Sequence, residues 1–524
     1  HRDMMIRFEQ AEQIGNELTQ QGLRSLTKRI NTNVFKEESI PLTVFNPVSW
    51  DRTDIAEAKI QLACHENKFQ RNFVLKDLEG KIIPSQSSTW QRKEEFDSTT
   101  GGSREVWECK VSFLAEEVPS LGYKTYFLVP GQSTVPKGIL KVNKNGIENE
   151  FFKVKINENG TLRIADKKTG QVFDRCNLFE DAEDAGDEYN YSPAKNGKVI
   201  TSEDVKGNIS LIENGQTYIT FRVSIKLSLP ESLTHDRRKR NKRFVKCPLT
   251  SCITIYTKIP RIDIRTAFSN RVRDHRLRVL FPTPIHTRHS YAEGQFDVIR
   301  RSIKLPHSKD WREKPSPTHP QQSFVDVNDE NSGLTIINQG LPEYEVIQGK
   351  GGVTAALTLL RSVGWLSMDD LITRHGNCGP KIPTPEAQCR GDYEFRYSIV
   401  PHAGTWESAK TYKLAQGYNA PFKVIQNQRQ NGPMASELSF LKINPDCLII
   451  SGIKKAEDRE GLIVRLYNIT KNEIAGKITF YKPIREARVV TLNEEVIGKL
   501  KINSRDNLSV KVGGHKIITL ELLL

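Results

Sequence analysis

The stretch "EDAEDAGDEYNYSP", from Glu180 to Pro193, gathers six carboxylates directly ahead of two tyrosines. Carboxylates at this density can bind a cation, take part in acid–base chemistry on a sugar, or form a solvated loop. The chain as a whole carries a formal net charge of +14, so an acidic cluster of this size stands out against the basic background. It is the first candidate for a functional site.

Two kinds of chemistry fit the spacing of these carboxylates poorly. Catalysis of glycoside hydrolysis with retention needs two carboxyl groups about 5 to 5.5 Å apart across the scissile bond. Adjacent residues such as Asp187 and Glu188 diverge on an extended backbone. A calcium loop of the EF-hand type needs alternating ligands and a glycine at its sixth position, and the stretch lacks that pattern. Independent catalysis and calcium binding are both disfavoured.

A second candidate lies in "FSNRVRDHRLRVLFPT", where Asp274 precedes His275 and Arg276. A histidine beside an aspartate suggests a hydrolase dyad, but no serine in a G-x-S-x-G setting accompanies it. We expect the three residues to tie a bend to a neighbouring sheet through charge-assisted hydrogen bonds.

The basic run "HDRRKRNKR", His235 to Arg243, raises the question of nucleic-acid binding. Such binding would need aromatic residues interleaved with the charge and a recognisable binding fold, and neither accompanies this run. The run is predicted to be a solvated loop. Nucleic acid is therefore not an expected partner.

Composition sets the wider frame. A chain of 524 residues predicts roughly three or four domains. No apolar stretch is long enough to span a membrane, so no membrane association is expected. The eight cysteines are scattered without a C-x-x-C pair, which predicts reduced thiols and a cytoplasmic protein.

The elements that position the candidate residues are mostly strands. "TYITFRVSIKLSLP" alternates apolar and polar residues with period two, and "FFKVKINENGTLRIADKKTG" predicts a hairpin with its turn at "NENG". One helix is predicted from the first residues to about Thr32, with Met4, Phe8, Ala11 and Leu18 on one stripe. No N-cap residue precedes that stripe, so we expect the helix to begin upstream.

Turn-rich segments divide the chain at about residues 35, 135 and 415. The predicted fold class is mostly β: antiparallel β-sandwich domains with a short N-terminal helical segment left from a helix bundle. The predicted segments are that helical end at 1–35, a small β-sandwich at 36–135, a large β-sandwich at 136–415 and a C-terminal β domain at 416–524.

Three stretches of the chain resemble the C-terminal half of bacterial glycoside hydrolase family 38, the zinc-dependent α-mannosidases. They are "FEDAEDAGDEYNYSP", "FSNRVRDHRLRVLFPT" and "LLRSVGWLSMDDLITRHGNCGPKIPTPEAQCRG". Shorter matches at "HRDMMIRFEQAEQI", "VPSLGYKTY", "HPQQSFVDV" and "GLPEYEV" follow in the family's order. The resemblance spans almost the whole chain.

The resemblance implies a division of labour. In that family a (β/α) catalytic domain comes first and carries the nucleophile, the acid/base carboxylate and the zinc ligands. This chain would begin just after that domain and hold no catalytic residue, no metal ligand and no cofactor of its own. His1 matches the helix that follows the zinc motif, so it is not expected to be a ligand.

The resemblance also implies four substrate-binding residues: Tyr189, Tyr191, Asp187 and Arg374. Tyr189 would lean into the catalytic pocket and bond a sugar hydroxyl, with Tyr191 packed beneath it and Asp187 orienting either ring. Arg374 matches an arginine that reaches the same pocket. Two alternatives stay open: Tyr189 can be a domain-seam residue without ligand contact, and Arg374 can pair with Asp369 or Asp370.

The expected function is the accessory C-terminal β portion of a retaining, zinc-dependent α-mannosidase, inactive alone. Its expected partners are an α-mannoside or manno-oligosaccharide and the missing N-terminal catalytic domain. The alternative is a stand-alone carbohydrate-binding β-sandwich, although the six tryptophans are widely spaced in sequence. The linkage cleaved and the formation of a homodimer are left open.

Overall fold

The structure is a computed structural model that describes residues 2–63, 72–97, 101–131 and 140–524. His1, Cys64 and the predicted domain boundary near residue 135 lie outside the described residues. The predicted fold class is confirmed, because the described chain is mostly β with antiparallel sheets. In this part of the chain no helix combines the length and the apolarity needed to cross a membrane.

The helix α1 spans Arg2–Thr27, and a second helix, α2, spans Thr411–Asn419. The predicted end of α1 near Thr32 was too late. The backbone N–H groups of Asn31 and Thr32 instead donate to the carbonyls of Met434 and Gln430, which draws the chain away from the helix axis. The predicted stripe on α1 is exposed, with Phe8 61% accessible.

The structure divides the chain more coarsely than the four predicted segments, into two compact units. The first unit comprises His1–Gly138, Gly215–Thr217 and Ala420–Leu524. The second unit comprises Ile139–Asn214 and Tyr218–Asn419. The four-part division stays a prediction.

The first eight strands belong to the first unit. They are β1 (Ile40–Asn46), β2 (Arg52–Ala63), β3 (Phe73–Lys76), β4 (Ile82–Ile83), β5 (Ser85–Ser87), β6 (Gln91–Asp97), β7 (Gly102–Val118) and β8 (Gly122–Pro130).

The next twenty strands belong to the second unit. They are β9 (Lys141–Asn143), β10 (Gly146–Glu148), β11 (Phe152–Ile156), β12 (Leu162–Asp166), β13 (Val172–Cys176), β14 (Leu178–Glu183), β15 (Ile200–Thr201), β16 (Asn208–Asn214), β17 (Tyr218–Pro230), β18 (Phe244–Tyr256), β19 (Ile262–Asn270), β20 (His275–Pro282), β21 (His289–Gly294), β22 (Asp297–Ser302), β23 (Thr318–Pro320), β24 (Phe324–Asn328), β25 (Ser332–Gln339), β26 (Glu343–Gly349), β27 (Gly352–Ser362) and β28 (Gly391–Ala403). A short 3₁₀ turn, Pro385–Gln388, precedes β28.

The last eleven strands return to the first unit. They are β29 (Lys423–Gln426), β30 (Glu437–Ser439), β31 (Leu441–Asn444), β32 (Leu448–Lys455), β33 (Leu462–Asn468), β34 (Ile474–Phe480), β35 (Glu486–Val490), β36 (Val496–Leu500), β37 (Ile502–Ser504), β38 (Asn507–Val512) and β39 (Ile517–Leu523).

The first unit holds two pairs of facing sheets. The sheet β29-β1-β8-β3-β4, with β30 also on β8, shares a core with the sheet β2-β7-β5, to which β6 is added. Leu42, Ile60 and Phe113 lie in that core. Toward the C-terminus the sheets β31-β34-β38-β37 and β32-β33-β39-β35-β36 enclose a second core that includes Leu466 and Leu520.

The second unit is the large sandwich, and one continuous core joins its three sheets. The sheet β13-β12-β11-β10-β9, the sheet β15-β14-β20-β27-β26-β23 and the nine-stranded sheet β16-β17-β18-β19-β28-β25-β24-β21-β22 all contribute buried residues. The predicted hairpin is confirmed as β11 and β12, which pair Val154 with Ile164. The predicted period-two strand is β17. Apolar residues of β17 at alternate positions, such as Phe221, Val223 and Ile225, lie in the core.

Candidate functional site

The six-stranded sheet of the second unit positions the acidic stretch. The central strand β20 pairs with β14 on one side and β27 on the other, placing Glu180 opposite Arg278 and Ala182 opposite Arg276. The acidic stretch begins in β14 and continues into the loop that follows that strand. The first carboxylates of the stretch therefore lie beside β20, the strand that carries Arg276 and Arg278.

Nearly every carboxylate of the stretch is bonded within the protein. Glu180 bonds Arg278, and Asp184 pairs with Arg361 at 2.8 Å. Glu183 accepts the backbone N–H of Lys198 at 3.0 Å. Only Glu188 of the six is exposed. Since buried carboxylates are stable when paired and hydrogen-bonded, the cluster fixes the loop and is not a solvated surface.

Asp181 is buried and bonded at both of its carboxylate oxygens. Its Oδ2 lies 2.6 Å from Nδ1 of His275, whose Nε2 lies 3.0 Å from Oδ1 of Asn270. Arg240 bonds the other carboxylate oxygen of Asp181. The neighbouring Asp274 bonds Gln388 through its side chain. Through Asn270, at the end of β19, His275 connects its strand to the nine-stranded sheet, and through Asp181 it bonds the adjacent strand β14 of its own sheet. Arg276, which was expected to take part in the same tie, contacts the Tyr191 ring instead.

The prediction of a solvated basic run was wrong for two of its arginines. Arg240 is buried against Asp181, and Arg237 donates to the backbone carbonyls of Ala185 and Gly186. The acidic loop offers carbonyl and carboxylate acceptors that these guanidinium groups satisfy. Arg237 and Arg240 thus join the basic run to the acidic stretch across separations of 51 to 59 residues in sequence.

Asp187 holds the turn that carries Tyr189. Its Oδ1 accepts the backbone N–H groups of Tyr189 at 3.0 Å and Asn190 at 2.9 Å. Its own N–H donates to the carbonyl of Asn190 at 3.0 Å. Asp187 therefore orients the backbone of Tyr189, which corrects the expectation that it orients a tyrosine ring.

Arg374 forms the other half of this anchor. It is 3% accessible, and its guanidinium donates to Asp187, to the Oδ1 of Asn190 and to the carbonyl of Met368. The alternative left open, a pairing of Arg374 with Asp369 or Asp370, is not the one that the structure shows, since Lys381 and Arg237 pair with those carboxylates. All three guanidinium nitrogens of Arg374 have protein acceptors. Direct contact of Arg374 or Asp187 with a sugar stays a prediction. The burial of both side chains does not favour such a contact.

Tyr189 is the exposed residue at the centre of this anchor. Its side chain is 55% accessible, although the flanking Glu188 N–H donates to the carbonyl of Trp365 at 3.1 Å. Gly379 lies against the ring, so a Cβ at that position would stand 3.4 Å from the Tyr189 Oη. The ring is thus presented at the surface by a fixed backbone.

The ring of Tyr191 contacts an arginine. The guanidinium of Arg276 lies 3.5 Å from the centre of its ring, a cation–π contact. Burial raises the pKa of Tyr191 to about 12, so the phenol stays protonated at neutral pH. Packing of Tyr191 beneath Tyr189 stays a prediction.

Three long loops meet around Tyr189, and we call them the loop cluster: residues 184–193, 303–317 and 363–384. The second and third loops pair locally, because Lys314 N–H donates to the Thr373 carbonyl at 2.8 Å. Loops of this length within a compact unit are usually functional. Sequence reasoning missed Trp311 and Glu313 of this region, since no periodicity or motif marks them.

The residues present do not fit a zinc site. In the part of the chain that the structure describes, no three or more His, Cys, Asp or Glu side chains are grouped to hold a metal ion. The acidic stretch offers the most carboxylates, but arginine, histidine and backbone groups already bond them. We therefore assign zinc no role among the described residues of this chain.

Two family models match the sequence. The model of the "Glycosyl hydrolases family 38 C-terminal domain" matches residues 147–371, and that of the "Glycosyl hydrolases family 38 C-terminal beta sandwich domain" matches residues 448–520. The first match contains β14, β20 and most of the loop cluster.

The chain belongs to glycosyl hydrolase family 38.

Relatives within family 38 agree with this assignment. The chain is 27% identical over 99% of its length to a Halalkalibacterium halodurans protein named "Putative mannosylglycerate hydrolase", covering 60% of that protein. It is 24% identical to "Alpha-mannosidase G" of Dictyostelium discoideum, over 72% of this chain and 32% of the relative. An α-mannosidase structure from Enterococcus faecalis V583 superposes with a TM-score of 0.86 at 28% identity, over 100% of this chain and 60% of that chain.

These matches identify a family 38 α-mannosidase-like protein. The chain spans about 60% of the length of the bacterial relatives that it matches end to end. Activity, substrate and partners of a whole enzyme are therefore matters for proposal.

Proposed function

We propose that this chain is the accessory β portion of a retaining, zinc-dependent α-mannosidase, and that its loop cluster forms one wall of the sugar pocket. The nucleophile, the acid/base carboxylate and the zinc ligands would belong to a catalytic domain outside this chain. Support comes from the family models, both of which describe C-terminal domains of family 38.

The observation that carries the proposal is the presentation of Tyr189. The Asp187 carboxylate accepts the backbone N–H groups of Tyr189 and Asn190, which fixes the backbone at Tyr189, yet Tyr189 is 55% accessible. A phenol offers one donor and acceptor at the tip of a stiff ring, which suits recognition of a sugar hydroxyl at a small cost in side-chain entropy. Ordering the backbone beforehand lowers the entropy cost of binding further.

Asp187 and Arg374 act through Tyr189 in this proposal. Their ion pair is enclosed, and its hydrogen bonds connect the loop 184–193 to the loop 363–384. They are positioning residues, because a shift of the Tyr189 hydroxyl by about 1 Å is enough to weaken a hydrogen bond to a bound sugar. Tyr191 supports the same region from the sheet surface.

The proposed substrate is a terminal α-mannoside or a manno-oligosaccharide. The relatives are named as α-mannosidases and as a mannosylglycerate hydrolase. The reacting sugar would therefore be mannose, and the group to which the mannose is linked stays unspecified. We place the protein in the cytoplasm because its cysteines are scattered along the sequence without a C-x-x-C pair.

The direct test is an assay of the purified chain with zinc and an aryl α-mannoside. We expect no turnover above that of buffer with zinc. Turnover comparable to that of an intact family 38 enzyme, measured in parallel, would show that the catalytic groups lie in this chain.

A second candidate function is stand-alone carbohydrate binding without hydrolysis. The observation in its favour is that both Tyr189 and Trp311 expose more than half of their side chains in the loop cluster, at 55% and 53%. Adding a family 38 catalytic domain to the chain distinguishes the two: the accessory function predicts that mannosidase activity depends on Tyr189, and stand-alone binding predicts that it does not.

A further inference from the structure

Trp311 differs from the other tryptophans of the chain. All six lie in the described residues, and the remaining five are buried or half-buried. Trp311 is 53% accessible on the loop between β22 and β23. Burying a large apolar side chain stabilises the folded state, and this half-exposed indole gives up a good part of that stabilisation. An exposed tryptophan on an ordered loop is typical of a binding surface.

The loop backbone around Trp311 is fixed. The Trp311 N–H donates to the Ser308 carbonyl at 3.1 Å and closes a turn. The next residue, Arg312, accepts the His375 N–H at its carbonyl at 2.9 Å and donates from Nε to the His375 carbonyl at 2.9 Å. The indole is therefore carried by a backbone that is bonded to the loop 363–384.

The same bonds bring Trp311 into the neighbourhood of Tyr189. Glu313, two residues after Trp311, accepts a hydrogen bond from the Asn190 side chain at 2.5 Å. Asn190 directly follows Tyr189 and is also bonded to Arg374, which forms a β-bridge with Glu313. The chain segments that carry the two exposed rings are thus joined by side-chain and backbone contacts.

We propose that Trp311 forms a second sugar subsite beside Tyr189, stacking on a pyranose ring linked to the mannose that Tyr189 contacts. A pyranose presents an apolar face of C–H groups to an aromatic ring and hydroxyls around its edge. Lys309, Asp310 and Arg312 are exposed next to the indole and supply polar groups for those hydroxyls. The inference rests on the proposed function for the identity of the sugar.

The charges around Trp311 favour a sugar over a polypeptide as its occupant. The centres of protein–protein interfaces are depleted of lysine, glutamate and aspartate, because these charges must lose water on association. Here the indole stands among exposed charged residues from Lys309 to Lys314. A small glycan can cover the ring while these charged groups keep most of their water and bond the sugar hydroxyls at its edge.

The test is a fluorescence titration of this chain with α-linked mannobioses, methyl α-mannoside and cellobiose. We expect a saturable change in tryptophan emission with a mannobiose, because Trp311 is the exposed fluorophore, and a weaker response to the monosaccharide and to cellobiose. Trp311→Ala should abolish the change, and calorimetry should show affinity for the mannobiose reduced by about tenfold or more. Trp311→Phe, which keeps a ring, should bind at an intermediate level.

Phe244→Ala is the matched control, since Phe244 is also an exposed aromatic of the second unit but lies outside the loop cluster. It should bind the mannobiose as the unmodified chain does. Equal affinity of Trp311→Ala and the unmodified chain, or no saturable response of the unmodified chain, would overturn the subsite. Unchanged hydrolysis in a Tyr189→Phe enzyme, together with an intact Trp311 titration, would instead count against the proposed function alone.

Discussion

At the scale of single residues, the acidic stretch shows that partners decide what a carboxylate does. Five of its six carboxylates are engaged by arginine, histidine or backbone groups, and the exception is the exposed Glu188. Asp187 is the member with the clearest consequence for function, because it fixes Tyr189. Its pairing with Arg374 gives two predictions.

The first concerns stability. Arg374→Met leaves the Asp187 carboxylate buried without its counter-charge, and Asp187→Asn leaves the guanidinium in the same state. Each substitution should lower the free energy of unfolding by about 3 to 5 kcal/mol, measured by urea denaturation of the chain. Asp369→Asn is the control, because its pair with Lys381 is exposed and should be worth less than about 1 kcal/mol. Equal losses of unfolding free energy in Asp187→Asn and Asp369→Asn would contradict a stabilising role for the Asp187–Arg374 pair.

The second concerns pH. Burial alone raises the pKa of Asp187, but hydrogen bonds from Arg374 and from backbone N–H groups outweigh it and hold the pKa below its usual range. A lowered pKa in the folded state contributes stability that is present above the ordinary aspartate value of about 3.9 and is lost as the pH falls toward the folded value. Unfolding of the chain in urea between about pH 5 and pH 2 should show this loss. In Asp187→Asn the same series should be flatter, and an unchanged slope would count against the pairing.

At the scale of elements, strands could be predicted from the sequence and the loops between them could not. β17 and the hairpin of β11 and β12 follow from period-two patterning and a turn sequence, which are local signals. The pairing of Asp187 with Arg374 joins residues 187 positions apart, and neither lies in a repeating pattern. Resemblance located Tyr189, but the partners of Asp187, Arg374 and Tyr191 became visible only in three dimensions.

The loop that carries Tyr189 allows a prediction at this scale. A Cβ on Gly186 would lie 2.0 Å from the Asn190 carbonyl oxygen, so Gly186→Ala has to displace the turn. The substitution should destabilise the chain by about 1 to 3 kcal/mol and raise hydrogen exchange in residues 184–193. Gly379→Ala is the matched control, because its Cβ would make only ordinary contacts with Tyr189 and Ser367. The idea fails if both variants exchange alike.

At the scale of the whole molecule, the second unit has its own continuous core and also holds the loop cluster. The mostly β class could be predicted because alternation recurs throughout the chain. The two-unit division could not, because the first unit is assembled from segments at both ends of the sequence. In the proposed function, this organisation would keep the loop cluster ordered while residues outside this chain supply the chemistry.

The central claim is that the Tyr189 hydroxyl contacts the reacting sugar. The most direct measurement is kcat/KM for an aryl α-mannoside in an enzyme that joins a family 38 catalytic domain to this chain, with Tyr189→Phe compared against the unmodified enzyme. Loss of one neutral hydrogen bond predicts a decrease of about tenfold, with an unfolding transition that is unchanged because the hydroxyl is at the surface. An unchanged kcat/KM in a folded Tyr189→Phe enzyme would contradict the account.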